Sequence, residues 1–406
     1  MSAVPGPDAL SAPRPPFTAV AIAASCVGFV LVGALQALYG PVMPTLQREY
    51  GISPAVAGLS LSAQFAAAAL GVLVYRLLNG RLGHRTLLGA SYVLMALGAS
   101  AFALAPVWPV ALAGAFVIGL GFGGVVYGLN HLFTVGFGRR GSAMLNLLNG
   151  HFGVGAVAGP ALVGWLGAKN YPGIFIGVAV VCVVVLLTLG GVTAQERETV
   201  LEVTSRRDVR VAPVIAAFIG VYVLHVAIET GVGGWEPTHL ESVGYSAATA
   251  TTATSAYWSA MTVGRFIVVP LSLRFSAPAI LTACCAGMAG SLLLATLPMA
   301  APYAYVGVGL AIAPIFPTCL PWLNRAVPGV AAAGAYVMAA SMLGGVTFPP
   351  LLGVVIDGLD VTALPLTLFA LALACMLLGT GLRRNAPDPD AEPRSARPAA
   401  PPEMQT

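Results

Sequence analysis

Long apolar runs follow one another along almost the whole chain, and short breaks rich in Gly, Pro or charged residues separate them. Each run has about 20 residues, the length that a helix needs to cross the hydrocarbon core of a bilayer. The pattern predicts spans at residues 18–43, 55–78, 86–105, 110–135, 145–167 and 173–193, and again at 212–235, 248–271, 277–299, 302–322, 333–355 and 362–382. We therefore expect an all-α integral membrane protein with twelve transmembrane helices.

Three segments depart from this pattern. Residues 194–211 are rich in Glu and Arg, and we interpret them as a cytoplasmic linker between two six-helix bundles, at 18–193 and 212–382. Residues 1–17 and 383–406 are rich in Pro and cannot bury much apolar area, so they are expected to form disordered cytoplasmic ends.

The composition excludes a water-soluble protein. Apolar residues make up 58% of the chain and charged residues only 8%, and the mean hydropathy is +0.87. An ordinary soluble domain has about 25% charged residues, so lipid must solvate most of this surface. The net charge of +4 comes from scattered basic residues, which argues against a nucleic-acid partner.

The sequence contains no pattern that predicts catalysis. The six cysteines lie inside apolar runs, and neither they nor the five histidines have the spacing of metal ligands. No nucleotide-binding P-loop is present either. We therefore expect no cofactor, no metal site and no enzymatic activity.

The basic residues predict the topology, since Lys and Arg are retained on the cytoplasmic side of a membrane. Of the 19 Lys and Arg residues, all but four fall on the side that holds both chain ends. The exceptions are Arg48 and Lys169 on the other side, and Arg76 and Arg265 within spans. Both termini are thus expected in the cytoplasm of a multi-pass protein of the plasma (inner) membrane.

The two halves also resemble each other in sequence. At a constant shift of 193 residues the first two spans align without a gap on the seventh and eighth. The identities include these pairs: Gly40 with Gly233, Pro44 with Pro237, Thr45 with Thr238, Gly51 with Gly244, Ser53 with Ser246, Ser62 with Ser255, Gly71 with Gly264, and Arg81 with Arg274. Two parallel repeats of this kind are typical of carriers with one central site.

Glu229 is the one acid that falls well inside a predicted span, and His225 lies four residues before it on the same helical face. Polar groups buried in hydrocarbon face the interior of a bundle or a wet cavity. Glu229 either binds substrate or takes up a proton during transport, or it is a fixed structural anchor. Gln36 is its counterpart under the repeat shift, so we expect both side chains to face one cavity.

Amides and imidazoles form a second group of candidates. Tyr127, Asn130 and His131 share one face of the fourth span, and the fifth span adds Asn146 and Asn149. Such groups donate and accept hydrogen bonds in fixed directions, which suits a polyhydroxylated solute. They are equally able to tie helices together.

Aromatic and cationic residues complete the candidates inside spans. Tyr257 and Trp258 could stack against a sugar ring, whereas Trp235 is expected as an anchor at the membrane interface. Arg265 could pair with an acid or bind an anionic substrate, but we favour a gate contact or snorkelling to the membrane surface. The same interpretation applies to Arg76, in the last turn of its span.

A cytoplasmic loop motif connects these observations with a known family. Residues 76–85 read R-L-L-N-G-R-L-G-H-R, which resembles the G-x-L-a-D-r-x-G-r-r loop of the major facilitator superfamily at Arg81, Gly83 and Arg85. Gly80 stands where the family has Asp, which puts the usual charge relay of this loop in doubt. The resemblance extends from Phe17 to Leu382 and implies two pseudo-symmetric six-helix bundles.

Within that superfamily, residues 145–155, 228–238 and 313–318 look most like the fucose permease type of sugar porter. Porters of that type use acids at positions that hold Gly40 and Val126 here, so those proton routes are absent. A G-x-x-x-G-P motif runs from Gly155 to Pro160, of a kind found in antiporters and also in many family members that are not antiporters.

These observations favour a secondary transporter that works by alternating access as a monomer. Our first choice is uptake of a small polar, sugar-like solute, coupled to an ion, most simply the proton. The alternative is efflux of drug-like or metabolic compounds by proton antiport. A membrane-embedded enzyme or a sensor lacks support in the sequence.

Overall fold

The computed structural model describes residues 18–137, 141–188, 212–327 and 333–385. The predicted terminal segment 1–17, the linker 194–211 and residues 386–406 of the tail lie outside this range. The first half consists of α1 (Ala19–Tyr50), α2 (Pro54–Ala103), α3 (Trp108–Gly136), α4 (Gly141–Leu166) and α5 (Tyr171–Thr188). The second half consists of α6 (Ala212–Ser242), α7 (Ala247–Ser272), α8 (Ala277–Leu294), α9 (Ala301–Ile312), α10 (Ile315–Ala326), α11 (Ala333–Leu359) and α12 (Leu364–Asn385).

These helices provide the predicted number of membrane crossings. Ten helical segments in the described part of the chain are long and apolar enough to span a bilayer, and α9 and α10, with 12 residues each, together form one of them, Ala301–Ala326. Another of the ten, α2, has 50 residues and changes direction at Gly83, where φ is 76°, so it crosses twice. Helix α7 is not among the ten because it is rich in Thr and Ser, but its 26 residues are sufficient to cross as well.

The hydroxyl groups of α7 are compatible with the membrane because the helix itself satisfies them. Thr251, Thr254 and Thr262 each donate a hydrogen bond to a backbone carbonyl one turn earlier. Such bonding removes the penalty of an unpaired hydroxyl in hydrocarbon. The pattern explains how a span of low hydropathy fits between apolar neighbours.

The repeated sequence identities mark equivalent helix ends in the two halves. Gly51 after α1 and Gly244 after α6 both have positive φ, 61° and 99°, which a residue without a Cβ adopts most easily. Two residues later, the hydroxyls of Ser53 and Ser246 accept the amide hydrogen bonds that start α2 and α7. The sequence repeat is therefore a repeat of helix stops and starts.

Helices α1 and α6 meet at the axis that relates the halves. A Cβ added at Gly40 would lie only 1.9 Å from the Gly233 carbonyl oxygen. Arg48 and Glu241, another pair separated by 193 residues, form a hydrogen bond with each other. Residues related by a twofold rotation can touch only close to the rotation axis, so this axis passes between α1 and α6.

Lipid-facing positions are strongly apolar. Leu187, Leu377 and Phe266 are 79%, 69% and 67% exposed on the outside of the helix bundle. The side chains between the helices are instead closely packed, with Phe102 against Phe175 at a centroid distance of 4.5 Å and Tyr39 beside them. A surface of this kind requires lipid as its solvent.

Candidate functional site

The candidate site lies between the two halves, and contacts at one end of the interface between them close the site from that side. Hydrogen bonds across the interface connect Arg48 to Glu241, the Ala55 amide to Asp357, and Ser62 to the Val346 carbonyl. All of these residues lie toward the side opposite the chain ends. On the other side, Asn149 of α4 and Tyr336 of α11 are exposed. This difference fits an interface that opens toward the chain ends, which is an inward-facing arrangement under the predicted topology.

His225 and Glu229 form a buried pair on α6. His225 Nε2 lies 3.4 Å from Glu229 Oε2, and the two side chains are 4% and 13% exposed. Their spacing of four residues places them on one face of the helix, as the sequence predicted. The Tyr257 hydroxyl of α7 donates a hydrogen bond to the Glu229 backbone carbonyl over 3.3 Å, which fixes α6 against α7 at this level.

Arg265 of α7 points into the same region. Its guanidinium carbon lies 6.0 Å from the centre of the Phe152 ring, which belongs to α4 in the other half. Arg265 Nη2 also contacts the Met261 sulfur at 3.8 Å, one turn back toward the closed end. The side chain therefore turns away from the nearer membrane surface, which is the opposite of the snorkelling we favoured. Its charge acts on both His225 and Glu229.

Trp258 provides the aromatic surface beside these charges. Its ring lies 6.5 Å from that of Phe152 in an edge-to-face arrangement that links the two halves. The backbone of Gly233 packs against the indole, since a Cβ there would approach the ring to 3.1 Å. The indole Nε1 is buried and has no hydrogen-bond partner among the described residues.

Tyr257 and Trp235 have structural roles instead. Tyr257 is fully buried and tied to α6, so it offers no platform for stacking. Trp235 is also fully buried, and its indole donates to the Pro349 carbonyl of α11. The expectation of an interfacial anchor at Trp235 was wrong because α6 continues well beyond it.

The polar cluster of the first half ties its helices together. The Asn149 amide of α4 donates to Asn130 Oδ1 of α3 over 3.1 Å. His131 stacks on both Tyr127 and His84, at centroid distances of 5.9 and 5.3 Å. Asn146 is exposed and borders the open side. Asn130 and Asn149 thus bond between helices, one of the two predicted roles, and His131 makes ring contacts within α3 and with α2.

Gln36 and Glu229 occupy equivalent positions on the two sides of the axis. Each lies four residues before the glycine at which α1 and α6 touch, Gly40 in one case and Gly233 in the other. One helical turn separates them from that contact, in the direction of the open side. This placement is compatible with the prediction that both line one cavity.

The loop residues lie away from this region. Arg76, Arg81 and Arg85 are exposed around the bend that Gly83 makes in α2. His84, within the same loop, is buried and bonds through Nδ1 to the Tyr75 hydroxyl over 3.1 Å. Side-chain bonding in this loop therefore involves an imidazole in place of the missing family Asp.

One buried acid was missed by the sequence analysis. Glu236 is fully buried in α6, although the predicted span ended at residue 235 and Glu229 was taken as the one acid inside a span. Neither carboxyl oxygen has a hydrogen-bond partner among the described residues, and the nearby Thr254 hydroxyl donates to the Ala250 carbonyl. One turn further along α6, His239 Nδ1 lies 3.0 Å from the Tyr305 hydroxyl of α9.

The error came from the proline that follows Glu236. Pro237 was read as a helix break, but it lies inside α6, as its repeat counterpart Pro44 lies inside α1. Neighbouring helices allow membrane helices to continue through proline. The repeat could have revealed Glu236, because equivalent prolines in the two halves, Pro44 and Pro237, indicate that both helices continue through the proline and keep the preceding residue inside the helix.

Solved structures with similar folds are membrane transporters. A D-xylose–proton symporter superposes with a TM-score of 0.76 at 13% identity, covering 92% of this chain and 99% of its own. A nucleoside transporter superposes with a TM-score of 0.75 at 11% identity, covering 89% and 99%. The fucose–proton symporter of E. coli has a TM-score of 0.59 at 16% identity, covering 89% and 98%. These similarities show the fold, and they do not single out the fucose permease type.

No curated protein sequence matches this chain. The model of the Major Facilitator Superfamily matches residues 25–307, which is more than half of the chain and extends from the first half into the second. Family and fold indicate a membrane transporter of small solutes rather than an enzyme. The chain belongs to the Major Facilitator Superfamily.

Proposed function

We propose that the protein is a proton-coupled transporter that carries a small polar, sugar-like solute across the plasma membrane by alternating access. The observation that supports this most directly is the group of polar side chains between the halves. His225, Glu229, Arg265 and the unpaired Trp258 indole lie together where α6 and α7 face α4. Ionisable groups inside membrane spans are typical of substrate and proton pathways.

The arrangement of the halves fits this mechanism. Contacts close the interface on one side, and they depend on few side chains around a close backbone approach at Gly40 and Gly233. A rigid-body rotation of one half against the other would break these contacts, open the closed side and close the open one. We expect the protein to act as a monomer with both termini in the cytoplasm.

Efflux of drug-like compounds has less support. The G-x-x-x-G-P motif that favoured it begins at Gly155, where a Cβ would lie 1.9 Å from the Val30 carbonyl oxygen of α1. Close packing of α4 on α1 is thus a sufficient reason for this glycine.

Uptake into proteoliposomes tests the proposal. Purified protein is reconstituted, and uptake of labelled sugars, sugar acids, sugar alcohols and cationic drugs is measured with and without an inward proton gradient. We expect saturable uptake of a hydroxylated solute that the gradient accelerates. Flux of cationic drugs alone, with no competition by hydroxylated solutes, would contradict the proposal.

A further inference from the structure

Arg265 is a cation inside a membrane-spanning helix, and it has no anionic partner in direct contact among the described residues. No carboxylate oxygen of the described residues lies within 4.0 Å of its guanidinium, whose contacts are the Phe152 ring and the Met261 sulfur. The Met261 sulfur is a weak acceptor that takes one N–H of Nη2, so most of the five N–H donors of the guanidinium have no partner among the described residues. A planar fork of donors held on an aromatic face is well suited to bind a carboxylate through two parallel hydrogen bonds.

The charge that faces Arg265 depends on the protonation of Glu229. The titratable groups at this level are His225 and Glu229 of α6 and Tyr257 of α7, while α4 contributes the uncharged Phe152 ring and, one residue before it, His151, whose Nδ1 bonds to the Leu147 carbonyl. The other helices packed against α6 carry their charges at or near their ends: Arg48 and Glu49, Arg325, Asp357, Arg383 and Arg384. When Glu229 is ionised, it balances the charge of Arg265. When Glu229 is protonated, one positive charge is left uncompensated in a region of low dielectric constant.

We propose that the solute carries a carboxylate that binds to Arg265, and that Glu229 carries the proton that accompanies it. This inference rests on the proposed transport function and names its substrate class: a small hydroxylated carboxylate, of which a sugar acid is the simplest example. Either ionised Glu229 or the solute carboxylate can balance the positive charge of the Arg265 guanidinium. A proton therefore moves from water onto a Glu229 carboxyl oxygen before the anion binds, and it is released after the anion leaves.

Two consequences follow from this exchange. One proton and one monovalent anion cross together, so transport carries no net charge and responds to a pH gradient but not to a membrane potential. In addition, Phe152 lies in the half opposite Arg265, so an anion bound at the guanidinium is held between the two halves during the rotation.

The test compares acidic and neutral solutes of the same size. Labelled gluconate or sorbitol, and in a second pair labelled glucuronate or glucose, is added outside proteoliposomes under a pH gradient or under a potassium diffusion potential. We expect uptake of the acidic member of a pair, acceleration by the pH gradient and no effect of the potential. Uptake of any neutral solute of the wider panel, with exclusion of both acids, would overturn this inference and leave the proposed transport function intact. A panel in which nothing moves would instead contradict the transport function itself.

Variants separate the roles of the two residues. Arg265→Gln should lower uptake of the acid about 10- to 100-fold, the value of a lost charge-assisted hydrogen bond. Arg384→Gln, which removes an exposed cation from the last turn of α12, should leave uptake unchanged. Glu229→Gln should retain exchange of labelled for unlabelled acid but lose accumulation driven by the pH gradient. Equal loss of exchange and accumulation in Glu229→Gln, in protein that keeps its thermal stability, would refute the proton role.

Discussion

Replacing Gly40 by Ala should shift the protein from its inward-facing to its outward-facing state. The new Cβ would lie 1.9 Å from the Gly233 carbonyl oxygen, whereas a carbon–oxygen contact needs about 3.3 Å. Helices α1 and α6 must therefore separate by more than an ångström at the axis. Overpacking of this kind costs about 1–3 kcal/mol, which corresponds to a shift of about 5- to 150-fold in the ratio of the two states.

Two other glycines provide matched controls. A Cβ at Gly155 would also lie 1.9 Å from a carbonyl oxygen, that of Val30, but this contact is inside the first half. Gly155→Ala should therefore lower the melting temperature without changing the ratio of states. A Cβ at Gly177 would meet nothing within 4 Å, so Gly177→Ala should change neither property.

Electron–electron distance measurements between spin labels report the ratio of states. Lys169 and Met299 are exposed positions on the closed side, one in each half, and are suitable for labelling. Gly40→Ala should move the distance distribution to longer values, and Gly155→Ala and Gly177→Ala should not. An unchanged distribution in Gly40→Ala protein of normal stability would refute the argument that the α1–α6 contact controls closure.

Three further predictions concern charged groups. Arg48→Ala should shift the distance between the same labels to longer values, but by less than Gly40→Ala, because an exposed ion pair with Glu241 is worth about 0–1 kcal/mol. The shift should be smaller still in high salt, which screens the pair. Reversing both charges should restore the wild-type distribution. Glu236→Gln should keep or raise the melting temperature, since it replaces a buried carboxyl without a partner, whereas a lower value would reveal an anchoring role. The amide of Thr362 donates to Asp360 and holds the pKa of that carboxyl below its usual range. The stabilisation from this cap is therefore complete above about pH 4 and is lost as the pH falls through the lowered pKa. Asp360→Asn should remove this contribution to the fall of the melting temperature with pH.

The architecture could be predicted from the sequence because lipid imposes a simple rule on every span. Apolar runs of sufficient length fixed the helices, and the shift of 193 residues anticipated the axis at which Gly40 meets Gly233. Helix ends were predicted less well. Proline ends most helices in water, but Pro237 and Pro44 lie inside membrane helices, and the buried Glu236 was missed for this reason.

The candidate site was predictable where its contacts are local. His225 and Glu229 are neighbours because four residues make about one helical turn, and this spacing is visible in the sequence. The contact of Arg265 with Phe152 joins positions more than a hundred residues apart in different halves. Such a contact depends on how the two bundles pack, which no local pattern of residues specifies.

Cross-linking across the axis tests most directly whether the two halves separate during transport. Cysteines replace Arg48 and Glu241, which bond to each other over 3.5 Å, while the six native cysteines are all buried. A short, reducible cross-linker is added to proteoliposomes, and solute uptake is measured before cross-linking, after it and after reduction. The account predicts that uptake stops in the cross-linked protein, returns on reduction and is unaffected in either single-cysteine variant. Continued uptake by fully cross-linked protein would contradict it.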